Sequence, residues 1–224
     1  MINKPKLIIV GAGEFANIAY EYFTYDSEYE VHGFIAEKKF ITKKRFNGLP
    51  VSAFENIKEN YPANEYKLFI AIPALDLNHT RKRLYLTAKK MGYSFVSYVS
   101  SKAFVWRNAK IGENCFIFEN NTIQPFVKVG NNVIIWSGNH IGHRTKINDH
   151  VFISSHVVIS GFCNIGSGSF LGVNSTFNDE TSIGNDCLLA SGSLINKKFK
   201  SKNKVYAGVP ANEVPNKNAK DIML

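Results

Sequence analysis

The chain has 224 residues, 45% of them apolar, and a formal charge of +9. That length holds one large domain or two small ones, and the apolar share fills ordinary cores, which excludes a disordered chain. The positive charge fits an anionic partner: nucleic acid, an acidic lipid surface or phosphorylated small molecules.

No apolar run approaches the ~20 residues that cross a bilayer, and Leu7 to Val10 is too short for a signal segment. A soluble, cytoplasmic protein without membrane contact is expected. Three cysteines without C-x-x-C spacing argue against a disulfide framework and a structural zinc site.

In chain order, residues 6–10 read as a short buried strand, followed by Gly11-Ala12-Gly13-Glu14-Phe15-Ala16 and a helix with Phe15, Ile18, Ala19, Tyr22 and Phe23 on one face. Strands over 30–35 and 67–72 come next. A helix carrying Leu77, Leu84, Ala88 and Met91 in phase then leads to a strand near 94–99. This alternation predicts a small parallel sheet of Rossmann-like type over residues 1–100.

Gly11-x-Gly13-x-x-Ala16 is a short form of the dinucleotide turn, in which backbone N–H groups approach a diphosphate at a helix N-terminus. Gly11, Gly13 and Glu14 are therefore candidate substrate contacts, and Glu37, 24 residues past Gly13, is placed to accept hydrogen bonds from a ribose. About 100 residues supply only half of a doubly wound nicotinamide domain. A nucleotide held by its diphosphate and base fits better than hydride transfer.

After a linker at 100–104 an apolar residue recurs every six positions from Val105 to Ile195 without a break. At 45% apolar content, sixteen consecutive hits arise by chance about three times in a million. The fourth residue after each apolar one is mostly small or β-branched. The next residue is often Gly or Asn (Gly112, Gly130, Gly142, Gly166, Gly172, Gly184), types that accept positive φ. Two inward positions and a permissive corner per hexad describe a parallel β-helix with three faces and eighteen residues per coil, over residues 101–224.

Cys115, Cys163 and Cys187 all fall in the small inward slot. Cys115 and Cys187 lie four coils apart, roughly 19 Å at ~4.8 Å per coil, and cannot bridge.

His140, His143, His150 and His156 cluster in one stretch. His143 follows the inward Ile141 by two residues, which puts its imidazole near a corner outside the core. Eighteen residues on stands Gly161, so a glycine backbone is stacked one coil beyond the ring. That pairing offers a general base and an N–H facing a developing oxyanion, as acyl transfer requires.

The hexads, the segment Trp136-Ser137-Gly138-Asn139-His140-Ile141-Gly142-His143, the run Ser155 to Gly161 and the closing Ala207-Gly208-Val209-Pro210-Ala211 resemble the left-handed β-helix acyltransferases. With the Rossmann-like N-terminal domain, the chain is similar to the subgroup of sialic acid O-acetyltransferases and nucleotide-aminosugar N-acetyltransferases, such as those acting on bacillosamine and perosamine precursors.

The resemblance implies a homotrimer, acetyl-CoA between adjacent prisms and a nucleotide-sugar on the N-terminal domain. His143 matches the catalytic base and Gly161 the backbone near the thioester. Gly208, Val209 and Pro210 match the coenzyme-contacting tail, to which Asp179, Lys202 and Lys204 are added. Asn78, Asn139, His140 and His156 are candidate substrate contacts. Two positions depart from the pattern: Arg144 stands where several members carry an acidic residue, and Pro73 where relatives commonly carry glycine.

The expected reaction is transfer of acetyl from acetyl-CoA to the amine of a nucleotide-linked 4-amino-4,6-dideoxy sugar, with sialic acid-type O-acetylation as the alternative. Five lysines between Lys197 and Lys204 either bind coenzyme phosphates or form a solvated loop. Lys38, Lys39, Lys43, Lys44 and Arg45 line the nucleotide pocket or face solvent.

The histidines also suggest the zinc β-helix carbonic anhydrases, but the neighbouring motifs match acyltransferases better, and no metal is expected. A non-catalytic trimeric scaffold would leave the His143–Gly161 pairing unexplained. The lysines do not interleave with aromatics as in a nucleic-acid module, so none is expected to bind.

Overall fold

The structure, a computed structural model, describes residues 4–222. The chain forms two compact units, one running up to Pro73 and resuming over Arg83–Tyr98, the other built from Ala74–Lys82 and the chain from Val99 onward.

The first unit is an α/β layer. Strands β1 (Lys6–Val10), β2 (Glu30–Ala36), β3 (Arg45–Phe46), β4 (Leu49–Ala53) and β5 (Tyr66–Ile70) lie in the order β3-β4-β2-β1-β5, parallel except for β3. Helix α1 (Glu14–Tyr25) crosses from β1 to β2 and buries Phe15, Ala16, Ala19 and Phe23; of the predicted face, Phe15, Ala19 and Phe23 are buried and Ile18 and Tyr22 half-buried.

The β3–β4 hairpin escaped the sequence reading, because its strands are short, Pro50 lies in the second and Asn47-Gly48 form the turn between them. The last predicted strand shrinks to a single bridge from Phe95 to Leu68 and the two residues Tyr98–Val99.

Helix α2 (Ile57–Asn60) is a single turn. Helix α3 spans His79–Lys90, so Leu77 lies outside it. Asp76, Leu77 and Asn78 all have positive φ, a left-handed stretch that an α-helix cannot include.

The second unit is the predicted left-handed parallel β-helix. All sixteen hexads become two-residue strands, from Phe104–Val105 to Leu194–Ile195, each ending on the apolar residue. Strands eighteen residues apart pair in parallel, as His140–Ile141 does with Thr122–Ile123 and Val158–Ile159. The inward aliphatics and the three cysteines form one continuous core. The cysteines are free and buried.

Three sheets give three outward rows. One carries Phe104, Thr122, His140, Val158, Thr176 and Leu194, and a second Lys110, Lys128, Lys146, Asn164 and Ser182. The third, Phe116, Ile134, Phe152, Phe170 and Leu188, is apolar. Segment Ala74–Lys82 packs on this last row, with Leu77 against Leu188 and the Arg81 guanidinium 5.9 Å from the Phe152 ring.

The corners correct one expectation. Positive φ falls on the third residue after each inward apolar residue from Ile111 to Leu189, at fourteen successive positions from Asn114 to Gly192. The glycines one residue after the aliphatic serve another purpose: a Cβ at Gly142 would lie 2.4 Å from Ser160 C, and one at Gly166 2.2 Å from Gly184 C. They are glycine because neighbouring coils touch there.

Ser100, placed in the linker by the sequence, already donates its N–H to Ile117 O and caps the first coil.

Candidate functional site

The corner column Pro125, His143, Gly161, Asp179 carries the predicted pair. His143 is exposed, and its imidazole lies flat over the Gly161 α-carbon: a Cβ there would meet His143 Cε1 at 2.6 Å and both ring nitrogens at 3.0 Å. The stacking expected from the eighteen-residue count is therefore present.

Three contacts with two neighbours fix the histidine. Gln124 Oε1 accepts its backbone N–H at 2.8 Å, its carbonyl accepts the Phe162 N–H, and the Phe162 ring meets the imidazole edge-to-face at 5.0 Å. Neither ring nitrogen has a hydrogen-bond partner among the described residues, which leaves the imidazole open to a substrate proton. Gln124 and Phe162 were missed by the sequence reading, though counting about one coil backward and forward reaches both.

Gly161 requires a correction. Its N–H donates to Asp179 Oδ1 at 2.7 Å, so it is not a free oxyanion donor, and two residues expected to touch the thioester or coenzyme are bonded to each other. Arg144 does not orient His143 either. It is the positive-φ corner residue, and its guanidinium lies 4.4 Å from the Phe126 ring.

Two predicted substrate contacts are structural. Asn139 is 2% exposed; it accepts the Val157 N–H at 2.6 Å and donates to Trp136 O. It occupies an inward slot above Asn121, whose Oδ1 accepts the Asn139 N–H. Asn78 is 1% exposed, donates to Gly168 O at 3.1 Å and accepts from Arg81. Arg81 is fully buried, and its Nη2 also reaches His150 O and Val151 O. Burial lowers its pKa to about 9.

The other histidines diverge. His140 points outward from its sheet, half-buried, while His156 stacks on Gly138, where a Cβ would lie 2.7 Å from its Cε1. His150 is buried, and its Nδ1 accepts from Asn132 at 2.9 Å. Among the described residues no group of three His, Cys, Asp or Glu side chains is arranged to hold a metal, and no helix is long and apolar enough to cross a membrane.

In the first unit the Gly11 N–H is taken by Ile35 O, and a Cβ on Gly11 would clash with Ala71 O at 2.6 Å, so this glycine serves strand packing. Gly13 is the open position: it caps α1 with no side-chain hydrogen bond, and nothing lies within 4 Å of where its Cβ would be. Glu14 is exposed beside it. Glu37 Oε2 accepts from Arg83 Nη2 at 2.8 Å.

In the tail, Lys204 is paired with Glu213 at 2.5 Å, while Lys202 stays exposed. Gly208 has φ +103° and donates to Ser193 Oγ; Val209 is 72% exposed and Pro210 exposed.

A Rossmann-like unit joined to a left-handed hexapeptide β-helix defines the class. Residues 6–88 match the PglD N-terminal domain family, and residues 108–143 and 127–161 match the bacterial transferase hexapeptide family, six repeats. Each part of the chain thus matches a family of its own, residues 6–88 a PglD-type N-terminal domain and residues 108–161 the hexapeptide repeats.

Solved structures that share this fold include the following three. The acetyltransferase domain of PglB from Neisseria gonorrhoeae is 21% identical, over 94% of this chain and 100% of that one, with a TM-score of 0.82. A histidine mutant of perosamine N-acetyltransferase from Caulobacter crescentus, in complex with CoA and GDP-perosamine, is 20% identical over 96% and 99%, with a TM-score of 0.84. WeeI from Acinetobacter baumannii is 18% identical over 93% and 99%, with a TM-score of 0.76. No curated protein sequence matches the chain significantly.

Proposed function

We propose that the protein is an acetyl-CoA-dependent N-acetyltransferase acting on a nucleotide-linked 4-amino-4,6-dideoxy sugar. It works as a homotrimer with acetyl-CoA between adjacent prisms. The carrying observation is the His143 imidazole, exposed, stacked on the side-chain-free Gly161 and, among the described residues, without a hydrogen-bond partner on either ring nitrogen. The fold shared with the perosamine enzyme, whose complex holds CoA and GDP-perosamine, supports the choice of coenzyme and acceptor class.

In this reading the sugar amine attacks the acetyl carbonyl as His143 takes its proton. The new C–N bond forms, the C–S bond breaks, and the proton passes to the departing thiolate of CoA. Gly161 gives the ring its room, since its amide is held by Asp179.

The 1–100 domain binds the nucleotide, its nucleoside-side phosphate facing the backbone N–H groups of Gly13 and Glu14 at the open start of α1, with Glu37 at the ribose. Lys202, Gly208, Val209 and Pro210 of the 101–224 domain meet the coenzyme. His140 and His156 flank the acceptor.

The test is a panel of UDP-, dTDP- and GDP-linked amino sugars with acetyl-CoA, following thiol release. His143→Ala and His143→Asn should lose ~10²- to 10⁴-fold in kcat while sedimenting as the wild-type trimer. Full turnover by either variant would remove the base from the mechanism. Acylation of a free sugar hydroxyl alone would replace N- by O-acetylation.

A further inference from the structure

Beside His143 the same corner carries a second column: Asn108, Phe126, Arg144, Phe162 and Glu180, one residue per coil. Phe126 and Phe162 are 49% and 51% exposed, and the Arg144 guanidinium sits between them, 4.4 Å from the first ring and 6.0 Å from the second. Rings beside a guanidinium hold it by its faces and leave its in-plane N–H edges outward.

No carboxylate pairs with Arg144 among the described residues. The acidic residues of this corner, Asp179 and Glu180, stand two coils further on, and Asp179 already holds the Gly161 amide. Phe162 touches both the imidazole, at 5.0 Å, and the guanidinium. The two groups are therefore within about 11 Å of each other, a span that a pyranose ring and its anomeric oxygen bridge.

We propose that Arg144 is the anion-recognition residue of the acceptor subsite, its planar fork binding a phosphate or carboxylate of the acceptor while the amine lies at His143. The inference deepens the acetyltransferase reading and rests on it for the identity of the acceptor. The thioester end of coenzyme A carries no anion of its own, so the charge met there belongs to the acceptor. The sugar-linked phosphate of the 4-amino-4,6-dideoxy acceptor and the ring carboxylate of the alternative, sialic acid-type acceptor offer the same oxygen pair, and the Arg fork suits both.

The test compares wild type, Arg144→Gln and Arg144→Lys by calorimetry and steady-state kinetics. The probes are the nucleotide-linked amino sugar that wild type acetylates, its sugar 1-phosphate, the free amino sugar, a matching amino-uronate, coenzyme A and inorganic pyrophosphate.

Arg144→Gln should weaken the nucleotide-linked acceptor about 10- to 100-fold, with kcat at saturation changed less than about threefold and coenzyme A affinity unchanged. Arg144→Lys should recover part of the loss. A loss shared by the sugar 1-phosphate but not the free sugar assigns the anion to phosphate; a loss confined to the uronate assigns it to carboxylate.

Equal acceptor affinity in wild type and Arg144→Gln, or a loss that falls on coenzyme A, overturns the proposal. If wild type acetylates none of the amino sugars, the enzymatic reading fails on its own. Pyrophosphate then decides the fork: weaker binding by Arg144→Gln upholds it, and equal binding overturns it.

Discussion

At the scale of the residue, the decisive contact is the absence of a side chain. A Cβ on Gly161 would stand 2.6 Å from His143 Cε1, closer than atoms pack, so Gly161→Ala must push the imidazole off its floor. Misplacing a catalytic group by about 1 Å costs about 10²-fold. Gly161→Ala should therefore lose kcat to about that extent with an unchanged melting profile, and restored activity with a displaced ring would argue against the placement.

Adding eighteen to 143 was enough to find this pair in the sequence. Asp179's hold on the Gly161 amide was not legible, because the direction of a side chain one coil away depends on its rotamer and not on the period. Asn139 is a different kind of miss. Its hexad slot marks it as inward, but its polar character suggested a ligand; inside the prism that polarity satisfies the backbone N–H of Val157.

At the scale of the element, one repeat uses glycine and asparagine for two separate jobs. The third residue after the aliphatic turns the corner at positive φ, a place Asn takes as readily as Gly. The first residue after it lies under the next coil, where only the missing Cβ matters. Gly166→Ala would press a methyl to 2.2 Å from the Gly184 backbone and should cost about 2 to 3 kcal/mol in urea unfolding. Asn174→Gly, at a corner, should stay within about 1 kcal/mol.

The sixteen hexads were readable because each obeys one template. Helix α3 was less so: the apolar spacing includes Leu77, but the left-handed turn over Asp76–Asn78 is fixed by Asn78 and Arg81 bonding to carbonyls about 70 to 90 residues away. No local pattern carries that information.

At the scale of the whole molecule, the two architectures were visible as a change of period, from strand–helix alternation to hexads. The point at which segment Ala74–Lys82 joins the β-helix unit was not. That attachment makes a buried polar cluster with a pH signature. His150 has its pKa lowered to about 4, first by burial, then by the Lys82 charge, with Arg81 adding to the effect and Asp149 opposing it.

An unfolded histidine titrates near ~6.5, so the unfolded chain binds the extra proton first. Stability should accordingly fall as pH drops from about 6.5 toward 4 and be fully present above that window. The loss is on the order of 3 kcal/mol for this group. Denaturation midpoints of His150→Asn should vary less over this range than those of wild type; an equal slope would place the titrating group elsewhere.

The chain beyond the last coil has its own consequence for how copies coexist at high concentration. Lys204–Gly208 continues one sheet in parallel from Leu188–Leu189, then Ala211–Asn218 returns antiparallel upon it. An open stack of coils is a template on which another molecule's coils can dock end to end. The returning strand reverses polarity at the edge of that sheet, so an incoming coil cannot extend its parallel ladder there.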